Sequence, residues 1–141
     1  MLASAGLHVA EETLLNFVGF VESVGIRCTW HEFDFINFAY IIAGIAAAAI
    51  GWRAPSVSLS YPALLLWNVI FHTGASVVWH HANPGVFTAI VLFLPVGTYC
   101  FLLAARDGVL TRRRTVLAFT LGLILQVYPL LLAILRDHFR Y

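Results

Sequence analysis

The sequence predicts an all-α integral membrane protein, a bundle of five helices formed by one domain spanning residues 1–141. Three observations lead there. Of the residues, 61% are hydrophobic and only 11% charged, against roughly a half and a quarter in soluble domains. Mean hydropathy is +0.88. Four stretches are long and apolar enough to cross a hydrocarbon layer about 30 Å thick. The charge balance adds an exclusion: all eight basic residues are arginines and the formal net charge is +1, so no basic field points to nucleic acid. Cys28 and Cys100 form no CxxC pair and are expected to be small apolar fillers.

The four clear spans are Phe35 to Gly51, Tyr61 to Val78, Gly85 to Ala105 and Thr115 to Leu135. Turn chemistry separates them at Trp52-Arg53-Ala54-Pro55-Ser56, His81-Ala82-Asn83-Pro84-Gly85 and Arg106-Asp107-Gly108. Pro62 and Pro84 fall near helix starts, where a missing N–H costs little. The alanine run Ala46 to Ala49 permits close packing and marks its helix as a central one. Gln126 reads as structural. The more difficult segment is Leu7 to Gly25, which carries Glu11, Glu12 and Glu22 yet repeats Leu7, Leu14, Val18 and Val21 at helical spacing. Lying flat in the interface is one solution, but helices that do so usually carry Lys or Arg on the polar face, and this one has none. A fifth, bundle-buried helix is preferred, with its carboxylates facing the interior. The first residues lack a basic region followed by an apolar core, so the N-terminus is expected to be retained.

Arginines orient the bundle. Arg53, Arg106, Arg112, Arg113 and Arg114 fall on one side, expected to be cytoplasmic, and Arg27, Arg136 and Arg140 on the other. Trp30, Trp52 and Trp79 end helices as interface aromatics do.

His8, Glu11 and Glu12 form an H-x-x-E-E pattern whose three side chains fall in one sector of a helix, and Asn16 extends the stripe by a turn. A carboxylate pair beside an imidazole can ligate a divalent metal or share protons; the alternative is a polar helix end at the headgroups. Asn68 and His72 are spaced i, i+4, and His72 stands about 16 Å from Tyr61, near mid-membrane. Its partners must come from other helices, with His8, Glu11, Glu12 and Asn37 available; the alternative is a neutral histidine bonded to backbone or to Asn37. His31, Glu32 and Asp34 before the second helix and His80 and His81 after the third form a competing cluster in which His31 and Asp34, spaced i, i+3, could bind a metal, but a solvated membrane boundary explains it better.

In order, His8-x-x-Glu11-Glu12, Asn37, Asn68-x-x-x-His72, Asn83-Pro84-Gly85-Val86-Phe87-Thr88 and Pro95 resemble the family of small bacterial membrane proteins named for its H-x-x-E-E motif, whose function is unassigned. The resemblance runs from the first helix through the fourth. It implies a bacterial inner-membrane location and a pocket where His8, Glu11, Glu12, Asn37, Asn68 and His72 converge. Depth sets a condition on that pocket. A helix beginning at Leu7 leaves His8 and Glu12 within about 10 Å of the cytoplasmic surface with His72 deeper, so tilt or a longer first helix must close the gap.

The expected function is a metal-dependent or acid/base enzyme acting on an isoprenoid or lipid-like substrate. Glu11, Glu12 and His72 are the candidate catalytic groups, His8, Glu11, Glu12 and His72 the candidate metal ligands, and Asn16, Asn37 and Asn68 the candidate binding residues. Two imidazoles and two carboxylates suit iron, zinc or manganese. Non-covalent haem on His72 with His8 or His80 is a second cofactor candidate. The competing function is a non-catalytic binding, carrier or assembly module. Membrane lipids and a lipophilic small molecule are the expected partners, and Gly44, Ala47, Ala48 and Gly51 permit packing within the chain or in a homo-oligomer.

Overall fold

The computed structural model describes residues 1–138. The order along the chain is α1 (Leu2–Leu14), α2 (Phe17–Ser23), α3 (Trp30–Ile50), α4 (Pro55–Ser58), α5 (Ser60–Val78), α6 (Val86–Thr88), a π-helical stretch (Ala89–Phe93), α7 (Leu94–Arg106) and α8 (Arg112–His138). No strand occurs among the described residues. Four segments are long and apolar enough to cross a membrane: Trp30–Arg53, Pro55–Val78, Val86–Arg106 and Arg112–Leu132. The chain is therefore a multi-pass helical bundle, with α1 and α2 as a broken fifth member. Arg140, one of the orienting arginines, lies outside the described residues.

The first segment departs most from expectation. It begins at Leu2 rather than Leu7 and breaks after Leu14. At the break Asn16 adopts a left-handed conformation (φ 56°) and its Oδ1 accepts the Gly19 N–H at 3.2 Å, capping α2. Asparagine is one of the few residues that enters this region at modest cost. Beyond the break, Glu22 is exposed. On α1 itself Ser4, Ala5, His8 and Glu12 point inward, whereas Leu7 and Leu14 face outward. That arrangement, polar inside and apolar outside, is the one a bilayer favours.

The early start closes the depth gap. Leu2 packs against Gly44 of α3, where a Cβ would come within 2.9 Å of the leucine side chain. Met1 borders a cavity of about 200 Å³ shared with Gly51, Trp52 and Pro62. The helix thus starts level with the end of α3 and the start of α5. Glu12 then stands about 15 Å up α1 and His72 about 18 Å up α5, at one height.

The central helix is α5, not the alanine-rich α3. Eight of its residues are buried, among them Tyr61, Leu64, Leu65 and His72, while α3 buries only Phe33, Gly44 and Ala47. Three of the four residues Ala46 to Ala49 face outward because α3 packs on one side only. The core below the site joins Ala5, Ala47, Tyr61, Leu64, Leu65, Val69, Ala89 and Phe93. Gly122 brings α8 against α5, since a Cβ there would lie 2.7 Å from the Leu64 nitrogen.

Two prolines explain the irregular helices. Pro95 cannot donate to the carbonyl four residues earlier, and the preceding turn widens into the π-helical stretch. Pro129, inside α8, likewise leaves the Leu125 carbonyl without its helical donor. The Tyr40 hydroxyl donates to that carbonyl at 3.0 Å, tying α3 to α8.

At the other end of α3, Thr29 and Glu32 form a reciprocal capping box, so the helix starts at Trp30 and not at Phe35. His31, Glu32 and Asp34 consequently lie within the helix instead of before it. Arg136 of α8 pairs with Glu32 and donates to the Arg27 carbonyl at 3.0 Å.

Candidate metal centre

Three side chains from two helices meet at one point. His8 and Glu12 are one turn apart on α1, and His72 comes from the last third of α5. They are 3%, 5% and 5% exposed. Glu12 Oε1 lies 3.5 Å from His8 Nε2 and 3.4 Å from His72 Nε2. A ligand atom from each residue falls within 4.8 Å of the others, and this is the one such group among the described residues.

The far nitrogens of both rings are committed. His8 Nδ1 is 2.8 Å from Thr88 Oγ1, and the threonine hydroxyl donates onward to the Gly85 carbonyl at 3.3 Å. Because that hydroxyl proton is used, His8 Nδ1–H is the donor. His72 Nδ1 donates to Asn83 Oδ1 at 2.6 Å. Asn83 is held in turn, its N–H donating to Ser76 Oγ and the Ser76 hydroxyl donating to the His72 carbonyl. With protons on both Nδ1 atoms, both Nε2 lone pairs face the same carboxylate oxygen. Three electron-rich atoms in an apolar setting require a shared proton or a cation. His8 Nε2 has no hydrogen-bond partner. An oxygen acceptor behind each imidazole, here a hydroxyl for His8 and an amide oxygen for His72, is also how metal-binding histidines are held.

The turn from Asn83 to Thr88 forms the roof. Gly85, at φ 93°, sits so close that a Cβ would lie 2.6 Å from His72 Cε1 and 2.8 Å from His8 Cε1. Any side chain at Gly85 would enter the site. Phe93 lies 4.4 Å from His8, ring centre to ring centre, and Phe17 lies 5.9 Å from His72. The walls are thus aromatic and the polar groups are few.

Glu11 does different work from Glu12. Its Oε1 accepts the Gly85 and Phe87 N–H groups at 3.2 Å, and its Oε2 accepts the Thr88 N–H at 2.7 Å. Those are otherwise unpaired donors at the start of the Val86–Arg106 segment. The carboxylate fastens the roof to α1 and stands outside the three-ligand group. Of the other residues singled out from sequence, Asn68 lies one turn from His72 with its Oδ1 buried and unpartnered. Asn37 donates to the Phe33 carbonyl of its own helix at 3.0 Å. Asn16 is exposed and caps α2. His31, Asp34, His80 and His81 are all exposed.

Sequence reasoning passed over Ser76, Asn83, Gly85, Thr88 and Phe93 as site residues. The run Asn83-Pro84-Gly85-x-x-Thr88 carried a signal, because polar residues beside a glycine at a helix start are suited to holding a neighbouring group. Nothing local said which group that would be.

These features define a class: a multi-pass helical membrane protein with a buried His/Glu cluster roofed by a tight turn. Residues 2–100 match the family described as a protein of unknown function with HXXEE motif, and the chain belongs to that family. The motif is His8, Glu11 and Glu12, so the family's defining residues are those that build the cluster and fasten its roof. No curated protein and no solved structure matches the chain.

Proposed function

We propose that the protein is a membrane metalloenzyme, with His8, Glu12 and His72 holding a divalent metal and a lipophilic substrate reaching it from the bilayer. The observation that carries this reading is the convergence of both Nε2 atoms on one Glu12 oxygen, with both Nδ1 atoms already bound. Iron, zinc and manganese suit two imidazoles and a carboxylate. A packing role would be served better by imidazoles that donate to Glu12, and the Nδ1 partners oppose that tautomer. Haem has little room, since Gly85 contacts both imidazole edges.

The chain's own residues divide the work. His8, Glu12 and His72 bind; Thr88 and Asn83 set the tautomers; Glu11 holds the roof. Phe17 and Phe93 exclude water and offer apolar contact to a hydrocarbon substrate. The unpartnered Asn68 Oδ1 would receive a polar group of that substrate. When bound, the metal would supply Lewis-acid or redox chemistry.

Elemental analysis of the purified protein beside Glu12→Ala and His72→Ala, each checked for folding, tests the reading. The expected result is about one metal per chain in the parent protein, lost in both variants. A well-folded parent that takes up no added divalent metal would overturn it.

A further inference from the structure

Resting on the reading of His8, Glu12 and His72 as metal ligands, we infer that the centre is a ferrous iron site that keeps a position open for dioxygen. Two histidines and one carboxylate are the donor set of non-haem iron sites that leave coordination positions to exogenous ligands. The same set with a bound water also makes catalytic zinc. What surrounds the three ligands separates these possibilities.

Zinc chemistry of that kind activates water, which then needs a path to the metal and a group to take its proton. Apart from the unpartnered Asn68 Oδ1, one turn from His72, the polar groups beside the cluster are already engaged. Both Glu11 oxygens accept backbone N–H groups, Thr88 and Asn83 each hold an imidazole, and Ser76 holds Asn83. The remaining walls include Phe93 and Phe17. Glu12 and the two histidines are at most 5% exposed, beneath the Asn83 to Thr88 turn. Water is scarce there. Dioxygen is small and apolar, so it is drawn into hydrocarbon by the same transfer energetics that exclude water. The reagent the site can reach most readily is therefore a gas dissolved in the bilayer.

The test uses the full-length protein in lipid nanodiscs, stripped of metal and offered iron(II) without oxygen, in parallel with zinc(II). Nitric oxide then serves as a dioxygen surrogate, read by electron paramagnetic resonance. The expected result is about one iron per chain, a ferrous nitrosyl signal of half-integer high spin, and loss of that signal in His72→Ala. Because the signal is measured on the parent protein, a variant that fails to fold does not remove the test. Zinc uptake without iron uptake would overturn the iron inference and leave the metal-site reading standing. Iron uptake without a nitrosyl adduct would overturn the open position. Uptake of neither metal would overturn the iron inference, and failure to take up manganese(II) as well would overturn the metal-site reading with it.

Discussion

Two regions of this molecule hold histidines beside acids, and they differ in everything except composition. The first is the His8, Glu12, His72 cluster. The second, at the end of the bundle marked by Trp30 and Trp79, contains His31, Asp34, His80 and His81. The second has more imidazoles, closer together in sequence, yet all four residues are exposed. There, His81 Nδ1 lies 3.3 Å from the neighbouring Ala82 carbonyl, and Glu32 is spent on a helix cap and an ion pair with Arg136. In the first region each ring is fixed by a distant partner, 80 residues away for His8 and 11 for His72. Residue type proposes a site; burial with a held tautomer makes one.

The sharpest way to break the comparison is to remove one ligand from each region. Glu12→Ala or His72→Ala is expected to take metal content from about one per chain to background. His31→Ala with Asp34→Ala is expected to leave it unchanged, as elemental analysis of the folded proteins will show. Metal retained in the first pair and lost in the second would invert the assignment.

Gly85→Ala probes the roof. Its Cβ would overlap both imidazoles, and its φ of 93° disfavours any side chain. A loss of about 1–3 kcal/mol in stability is expected from overpacking, together with weakened metal binding, in thermal melts with and without metal. Unchanged melting and affinity would mean that the turn does not rest on the rings.

Asn83→Ala or Thr88→Val leaves every ligand in place and frees one Nδ1. Metal affinity is expected to fall about 10–100-fold with the fold retained, measured by titration against a competing chelator. No change would deny these residues their orienting role.

At the exposed end, Thr29→Ala removes one half of the capping box. The expected cost is about 1 kcal/mol of stability, with metal affinity untouched. Coupled loss of both would show that the two regions are not independent.

Much of the architecture was legible because bilayer thickness imposes a length on apolar stretches, and the four long spans carry that length openly. The pairing of α1 with α5 was legible in part: His72 needed partners from other helices, and of the candidates His8, Glu11, Glu12 and Asn37 the first and third are the ones that face it. What the sequence hid has a common cause: it depended on neighbours far along the chain. Glu11 and Glu12 look equivalent on a helical wheel, and only the Gly85 to Thr88 backbone assigns them separate tasks. Asn16 continues a polar stripe on paper and breaks a helix in space. The alanine run suggested a central helix, but α3 has partners on one side only, so most of its small residues face outward.

The Tyr40 to Leu125 hydrogen bond bears on how the bundle is assembled. Pro129 leaves α8 with a carbonyl at bilayer depth that its own helix cannot satisfy, and lipid offers no donor for it. This helix is therefore incomplete as an isolated insertion unit. The Leu125 carbonyl is satisfied only when α3, whose Tyr40 is made 85 residues earlier, is already standing beside it.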